Sequence, residues 1–479
     1  MNSSAIVNRA MAMLRWIGMH LPAQGYLYTT AFFIGVALGV LSWLLKWLIH
    51  LVTTLILPHG LPTSGPDYLL LLTPVAGIML TGIFVRYILR DNIEHGISRI
   101  VVRTHDNNPT MSPRLCFGAI IGSTLTLGMG GSAGTEGPIA YTGAAVGSNI
   151  GRLMRVPRDM MTAMLGIGAA AGTAGIFKAP IGGMIFTFEV LKMSLSTPLI
   201  VATLISCVTS SLVAYWMSGY TYDIQWVNAE LFDPHIIPGI IVLGVACGLY
   251  ATYFSTVMTK MGDRYASIPN PWLRNLASGL MLAAMVFMFP SLYGEGFMMM
   301  TEMINGQTDV FLDGCMIALR GDTAMTVLVG AGVFLLLKSW AACASNSGGG
   351  VAGDFAPTFF AGAMMGLFVV TAANTWFHTN YSPAVMIIVG MAAVMGGVIR
   401  APLTAIFLTM EMTSSYNIFL PIVIGVTISW GIVKLLTPRA FYDIAESRAR
   451  NSAIDRSNAA ATTAPATTTP PPDGGSGVV

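Results

Sequence analysis

The stretch GAAAGTAGIFKAPIGGMIFTFEV, Gly168 to Val190, returns as GMAAVMGGVIRAPLTAIFLTMEM, Gly390 to Met412, about 222 residues later. Gly168 pairs with Gly390, Gly175 with Gly397, Lys178 with Arg400, Pro180 with Pro402, Thr187 with Thr409 and Glu189 with Glu411. Upstream, in nearly the same register, GTEGPIAYTGAAVG (Gly134 to Gly147) aligns with GDFAPTFFAGAMMG (Gly353 to Gly366). The chain therefore reads as two homologous halves.

Composition says what kind of halves these are. Of 479 residues 54% are hydrophobic and only 10% charged, and the mean hydropathy is +0.69. That excludes a soluble domain and points to an integral membrane protein. Apolar windows recur from Ala31–Leu57 to Ile418–Leu436. Several are shorter than the roughly 20 residues of a simple span and are broken by Gly or Pro. Such pieces read as tilted or re-entrant half-helices buried in protein, because irregular backbone facing lipid would leave peptide groups unpaired.

The expected organisation is an N-terminal cytoplasmic amphipathic segment (1–28), a first membrane repeat (29–217) and a connecting segment (218–236). A second repeat with a final cytoplasmic helix (237–450) and a disordered low-complexity tail (451–479) follow. Lys and Arg cluster after the last hydrophobic segment, which favours a cytoplasmic C-terminus. The five cysteines are scattered and read as small buried hydrophobes; the seven histidines show no metal-ligand spacing. No cofactor, metal or nucleic-acid partner is expected, and the net charge of +2 says little about partners.

Two-fold repeats with interrupted helices are a transport architecture, with the ligand site where half-helix ends from both halves meet. In GTEGP and GDFAP a Gly-containing loop runs into a Pro that suits a first helical turn, whose free amides carry partial positive charge. Two such N-termini converging make an anion site from backbone alone. An ion held by partial charges can leave, which a buried guanidinium would hinder. Into this site the sequence places one carboxylate, Glu136, which takes up a proton readily if it is buried without a partner.

These motifs resemble the CLC family of chloride channels and proton-coupled chloride transporters, over residues from about 30 to 445. GTEGP resembles that family's G(K/R)EGP gate motif and GDFAP its GxFxP motif. The resemblance implies an all-α membrane protein of two inverted repeats and about 18 tilted and broken helices. It would be a homodimer of the bacterial inner-membrane type, without C-terminal regulatory domains, each subunit with its own anion pathway. Glu136 aligns with the gating glutamate, flanked by Thr135 and Gly137; Asp354, Phe355 and Ala356 match the second half's anion-binding loop. Tyr442, in PRAFYDIAE, matches the tyrosine that reaches the ion from the inner side. The family's GSGIPE aligns with EHGISRI, which puts His95 at the serine position, followed by Gly96 and Ile97.

Other readings stand beside these. Glu136 could simply cap the helix at Pro138, Tyr442 could belong to an aromatic belt, and His95 could be an interfacial histidine. Glu189 and Glu411 read as structural carboxylates bonded to backbone at helix ends, and Lys178 and Arg400 as helix-terminus charges. Asp354 is unusual, since a carboxylate beside an anion path repels unless it points away. In proton-exchanging members a second glutamate follows the helix glutamate, whereas here Val190 follows Glu189. The expectation is therefore a passive, voltage- or pH-gated chloride channel, with a proton-coupled antiporter as the alternative. An intramembrane aspartyl enzyme built on Asp354 is a remote third reading that lacks a paired Asp. The expected partners are chloride or other small anions, protons in the antiporter case, lipid, and a second copy of the chain.

Overall fold

The computed structural model describes residues 22–61, 68–91, 96–104, 109–226, 232–316, 323–437 and 447. Among them the chain forms sixteen α-helices, eight in each half. The first half holds α1 (Ala23–Ile56), α2 (Leu69–Ile83), α3 (Gly96–Thr104), α4 (Leu115–Gly128), α5 (Glu136–Leu153), α6 (Met161–Phe177), α7 (Pro180–Glu189) and α8 (Thr197–Met217). The second holds α9 (Ile237–Ala266), α10 (Pro271–Met288), α11 (Phe297–Ile304), α12 (Thr323–Ser347), α13 (Phe355–Phe377), α14 (Pro383–Ile399), α15 (Pro402–Thr413) and α16 (Phe419–Leu436). Long helices pair at the flanks of each half, α1 with α8 and α9 with α16, while α5 packs on α6 and α13 on α14.

The glycines of the repeat are where these inner pairs cross. A Cβ on Gly143 would lie 2.2 Å from the Gly168 carbonyl oxygen, and one on Gly362 would lie 2.2 Å from that of Gly390. Backbone therefore meets backbone, which only residues without side chains allow. In both halves the next helix starts the same way. Lys178 (φ +55°) and Arg400 (φ +59°) end α6 and α14 in the left-handed region, Ala179 and Ala401 turn the chain, and Pro180 and Pro402 open α7 and α15. Lys178 donates to the Thr221 carbonyl at 2.7 Å and pairs with Asp223, which also holds Lys46 of α1. Arg400 donates to the Thr437 carbonyl and hydroxyl.

The two halves are latched by a reciprocal exchange. Glu411, at the end of α15, accepts the Ile181 and Gly182 N–H groups in the first turn of α7 at 3.0 and 2.7 Å. Glu189, at the end of α7, accepts the Leu403 and Thr404 N–H groups in the first turn of α15 at 3.1 and 2.7 Å, and the Thr404 hydroxyl. Each carboxylate thus satisfies otherwise orphaned amides at a positively polarised helix start. Both glutamates have the structural role the repeat implies.

Among the described residues eight helices are long and apolar enough to cross a membrane. The windows of α12 and α13 are 67% and 78% buried against 33% for α1, so the former pair forms the interior and α1 the periphery. α7 and α15, of 10 and 12 residues, reach only about 15–18 Å and cannot span. Among the described residues the first helix starts at Ala23, ahead of residue 29, because Pro22 (ψ 154°) supplies an extended residue from which a helix can begin. All five cysteines are free, and four are buried.

Candidate functional site

Two loops meet at the centre: Met129 to Thr135, between α4 and α5, and Gly348 to Asp354, between α12 and α13. They join through an antiparallel bridge in which Gly134 N–H donates to the Gly353 carbonyl at 2.9 Å and Gly353 N–H to the Gly134 carbonyl at 2.7 Å. The two glycines matched in the sequence alignment are therefore partners in space. The bridge draws the N-termini of α5 and α13 together, and a Cβ on Gly137 would lie 3.1 Å from the Gly353 Cα. α3 joins them at Gly96, where a Cβ would lie 3.0 Å from the Gly137 carbonyl oxygen. Ile97 is buried one residue on.

The Glu136 side chain folds onto this bridge and is 1% exposed. Its Oε1 accepts the Phe355 N–H, the first amide of α13, at 2.5 Å. Among the described residues its Oε2 has no hydrogen-bond partner. The space it fills exists because both bridging residues lack side chains: a Cβ on Gly134 would lie 2.0 Å from Oε2, and one on Gly353 2.2 Å from Oε1. Glu136 therefore does more than begin its own helix. It reaches across the pseudo-symmetry axis to the start of the equivalent helix.

The remaining residues frame this carboxylate. The Phe355 ring is fully buried, edge-on to Phe186 with centroids 5.7 Å apart. The Ala356 methyl lies beside Gly134. Asp354 is buried and its Oδ1 accepts from Asn346 Nδ2 of α12. Thr135 donates from both N and Oγ1 to Glu295 Oε1, at 2.9 and 2.7 Å. Val190 ends α7 with its N–H on the Phe186 carbonyl, and the neighbouring Glu189 carboxylate is taken up by α15. His95 and Tyr442 lie outside the described residues.

Two charged residues that sequence reading passed over also belong here. Glu295 stands between two glycines in YGEGF, and Lys338 is fully buried in α12, with its Nζ 2.8 Å from Ser132 Oγ in the gate loop and 5.1 Å from the Phe360 ring centroid. The available signal was an ionisable residue inside an otherwise apolar helix, which is a site hypothesis in its own right. The starts of α5 and α13 thus converge where the Glu136 carboxylate lies on the Phe355 amide, and converging helix N-termini are chemically suited to an anion. Among the described residues no group of His, Cys, Asp and Glu is arranged to hold a metal.

A family model described as voltage gated chloride channel matches residues 77–434. The chain is 27% identical over 366 residues to a putative chloride channel protein ClcB-like of Ralstonia nicotianae, covering 75% of this chain and 81% of that protein. It is 28% identical over 315 residues to an H(+)/Cl(−) exchange transporter ClcA of Vibrio cholerae, covering 63% of each. Among solved structures, that of a slow cyanobacterial Cl−/H+ antiporter matches with a TM-score of 0.75 at 21% identity, over 89% of this chain and 98% of that one. A CLC-type fluoride/proton antiporter matches with a TM-score of 0.69 at 21% identity, over 87% and 96%.

Proposed function

Since the chain belongs to the voltage-gated chloride channel family, the CLC family, we propose that it carries chloride and similar small anions across a membrane by a path gated by Glu136. The observation that carries this is the Glu136 carboxylate lodged between the starts of α5 and α13, bonded to the Phe355 amide. A carboxylate there is a surrogate for a bound anion: ionised it occupies the site, and protonated or outcompeted it leaves. Lipid surrounds this multi-pass membrane protein, and bacterial relatives support an inner-membrane setting. A cytoplasmic C-terminus and a homodimer with one path per subunit complete the proposal.

Two readings of coupling have support. Passive conduction is favoured by Val190, with the adjacent Glu189 carboxylate committed to α15. Proton exchange is favoured by the unpartnered Glu136 Oε2, which can carry a proton, and by the relatives named as exchangers or antiporters. One experiment separates them: chloride efflux from liposomes under a chloride gradient, with external pH recorded. Protons driven uphill in fixed proportion to chloride mean exchange; flux that needs a potassium ionophore and moves no protons means conduction. No chloride flux from folded protein would refute the proposal itself.

A further inference from the structure

The gate loop is held from the other half at four points by one short turn. The Tyr293 hydroxyl donates to the Gly128 carbonyl at 2.7 Å and Gly294 N–H to the Gly131 carbonyl at 3.1 Å. Glu295 Oε1 then accepts both Thr135 donors, immediately before Glu136. Gly294 (φ +72°) and Gly296 (φ +82°) both lie in the left-handed region, which glycine takes without strain, so the chain can turn tightly on either side of Glu295. A Cβ on Gly296 would also lie 2.2 Å from the Phe360 ring. Glu295 is therefore fixed, half-buried, with its charge beside the gate.

We propose that Glu295 is a positioning residue of the gate, holding Thr135 and setting, through its negative charge, the proton concentration at which Glu136 releases its site. The inference rests on Glu136 being the gate. The charged groups facing the pair come from four other elements: Lys46 of α1 and Asp223 of the connecting segment act on Glu295, Lys338 of α12 faces Glu295, and Asp354 before α13 acts on Glu136. A like charge beside a carboxylate favours its neutral form, and a nearby cation favours its ionised form. Lys338 therefore favours the ionised form of Glu295, and the charge of Glu295 in turn favours the neutral form of Glu136.

The test is the pH profile of chloride flux in liposomes for wild type, Glu136→Gln, Glu295→Gln and Lys338→Met. Glu295→Gln keeps an oxygen for Thr135 and removes only the charge, so the acid-activation midpoint should move to lower pH by about one unit. Lys338→Met, of similar volume, lowers the ionised share of Glu295 and should move it the same way, and this second variant decides the matter if the first does not fold. Both shifts should vanish in a Glu136→Gln background. Shifts to lower pH in both variants support the proposal. A midpoint unmoved by either folded variant, with wild type still activated by acid and Glu136→Gln insensitive to it, overturns this inference and leaves the gate assignment standing. A wild-type flux indifferent to pH overturns both.

Discussion

Gly134→Ala should evict the Glu136 carboxylate without altering its chemistry. Gly134 is not in the left-handed region, so its backbone accepts alanine. The new methyl would lie 2.0 Å from Glu136 Oε2 and 2.8 Å from the Ala356 Cβ, against an ordinary carbon contact of about 3.5–4.0 Å. The carboxylate sits at the far end of a flexible side chain and is the group that yields. The methyl denies the lodged carboxylate its place on the Phe355 N–H, so the occupied state loses a hydrogen bond to a charged group, worth about 1.5–3 kcal/mol. The population with the site vacated should therefore rise about ten- to a hundredfold relative to the occupied one. Chloride efflux from liposomes at neutral pH should rise towards its acid value, and the pH profile should flatten. The double variant Gly134→Ala, Ala356→Gly removes the second contact and should show the same behaviour with better yield. Folded Gly134→Ala protein that keeps the wild-type rate and pH profile would refute the reasoning, because the methyl and the lodged carboxylate cannot share that space.

Glu136→Gln should abolish the pH dependence while leaving or raising chloride flux; loss of flux in folded protein would count against the gate. Val190→Glu places a carboxylate next to Glu189, and if its absence limits coupling, proton movement per chloride should appear or increase in the same assay. Glu411→Ala strips two charge-assisted bonds from the start of α7 and should cost about 2–4 kcal/mol, read as a lower Tm in detergent; an unchanged Tm would remove the latch. Burial pushes the Asp223 carboxyl up, but Lys46 and Lys178 outweigh it and hold it below the usual carboxylate range. Its stabilisation is thus complete above the unfolded value of about 3.9 and is lost as pH falls through the lower folded value. The Tm difference between wild type and Asp223→Asn should accordingly be present at neutral pH and close at strongly acid pH, and a constant difference would disprove the linkage.

The repeat carried most of what could be read before the coordinates. Gly143 with Gly168, and Gly362 with Gly390, are helix crossings in equivalent places, and the match of Gly134 with Gly353 is a physical bridge. That bridge was visible because close backbone approach demands glycine in both copies, so the constraint is written twice. Glu189 and Glu411 were readable for the same reason: an interaction that recurs under two-fold symmetry leaves the same residue in both halves. Glu295 and Lys338 escaped because their roles are not symmetric. Each meets the gate loop from far along the chain, and no periodicity or local motif links YGEGF to Thr135. Asp354 looked anomalous in sequence because its partner, Asn346, lies on the preceding helix and belongs to no motif.

The exchange of glutamates between α7 and α15 has a consequence for how the chain is made. Gly182 and Glu411 are separated by 229 residues. At a synthesis rate of about 5–20 residues per second, the first turn of α7 waits roughly ten to forty-five seconds for the carboxylate that completes it. Through that interval the newly inserted N-terminal half carries exposed amide donors inside the bilayer, where bare peptide groups are costly. Water, lipid phosphate or the insertion machinery must lend an acceptor until α15 arrives. Truncation after the first half would prolong that debt indefinitely, so fragments ending near Met217 should be cleared by membrane proteases, whereas co-expressed halves should rescue one another.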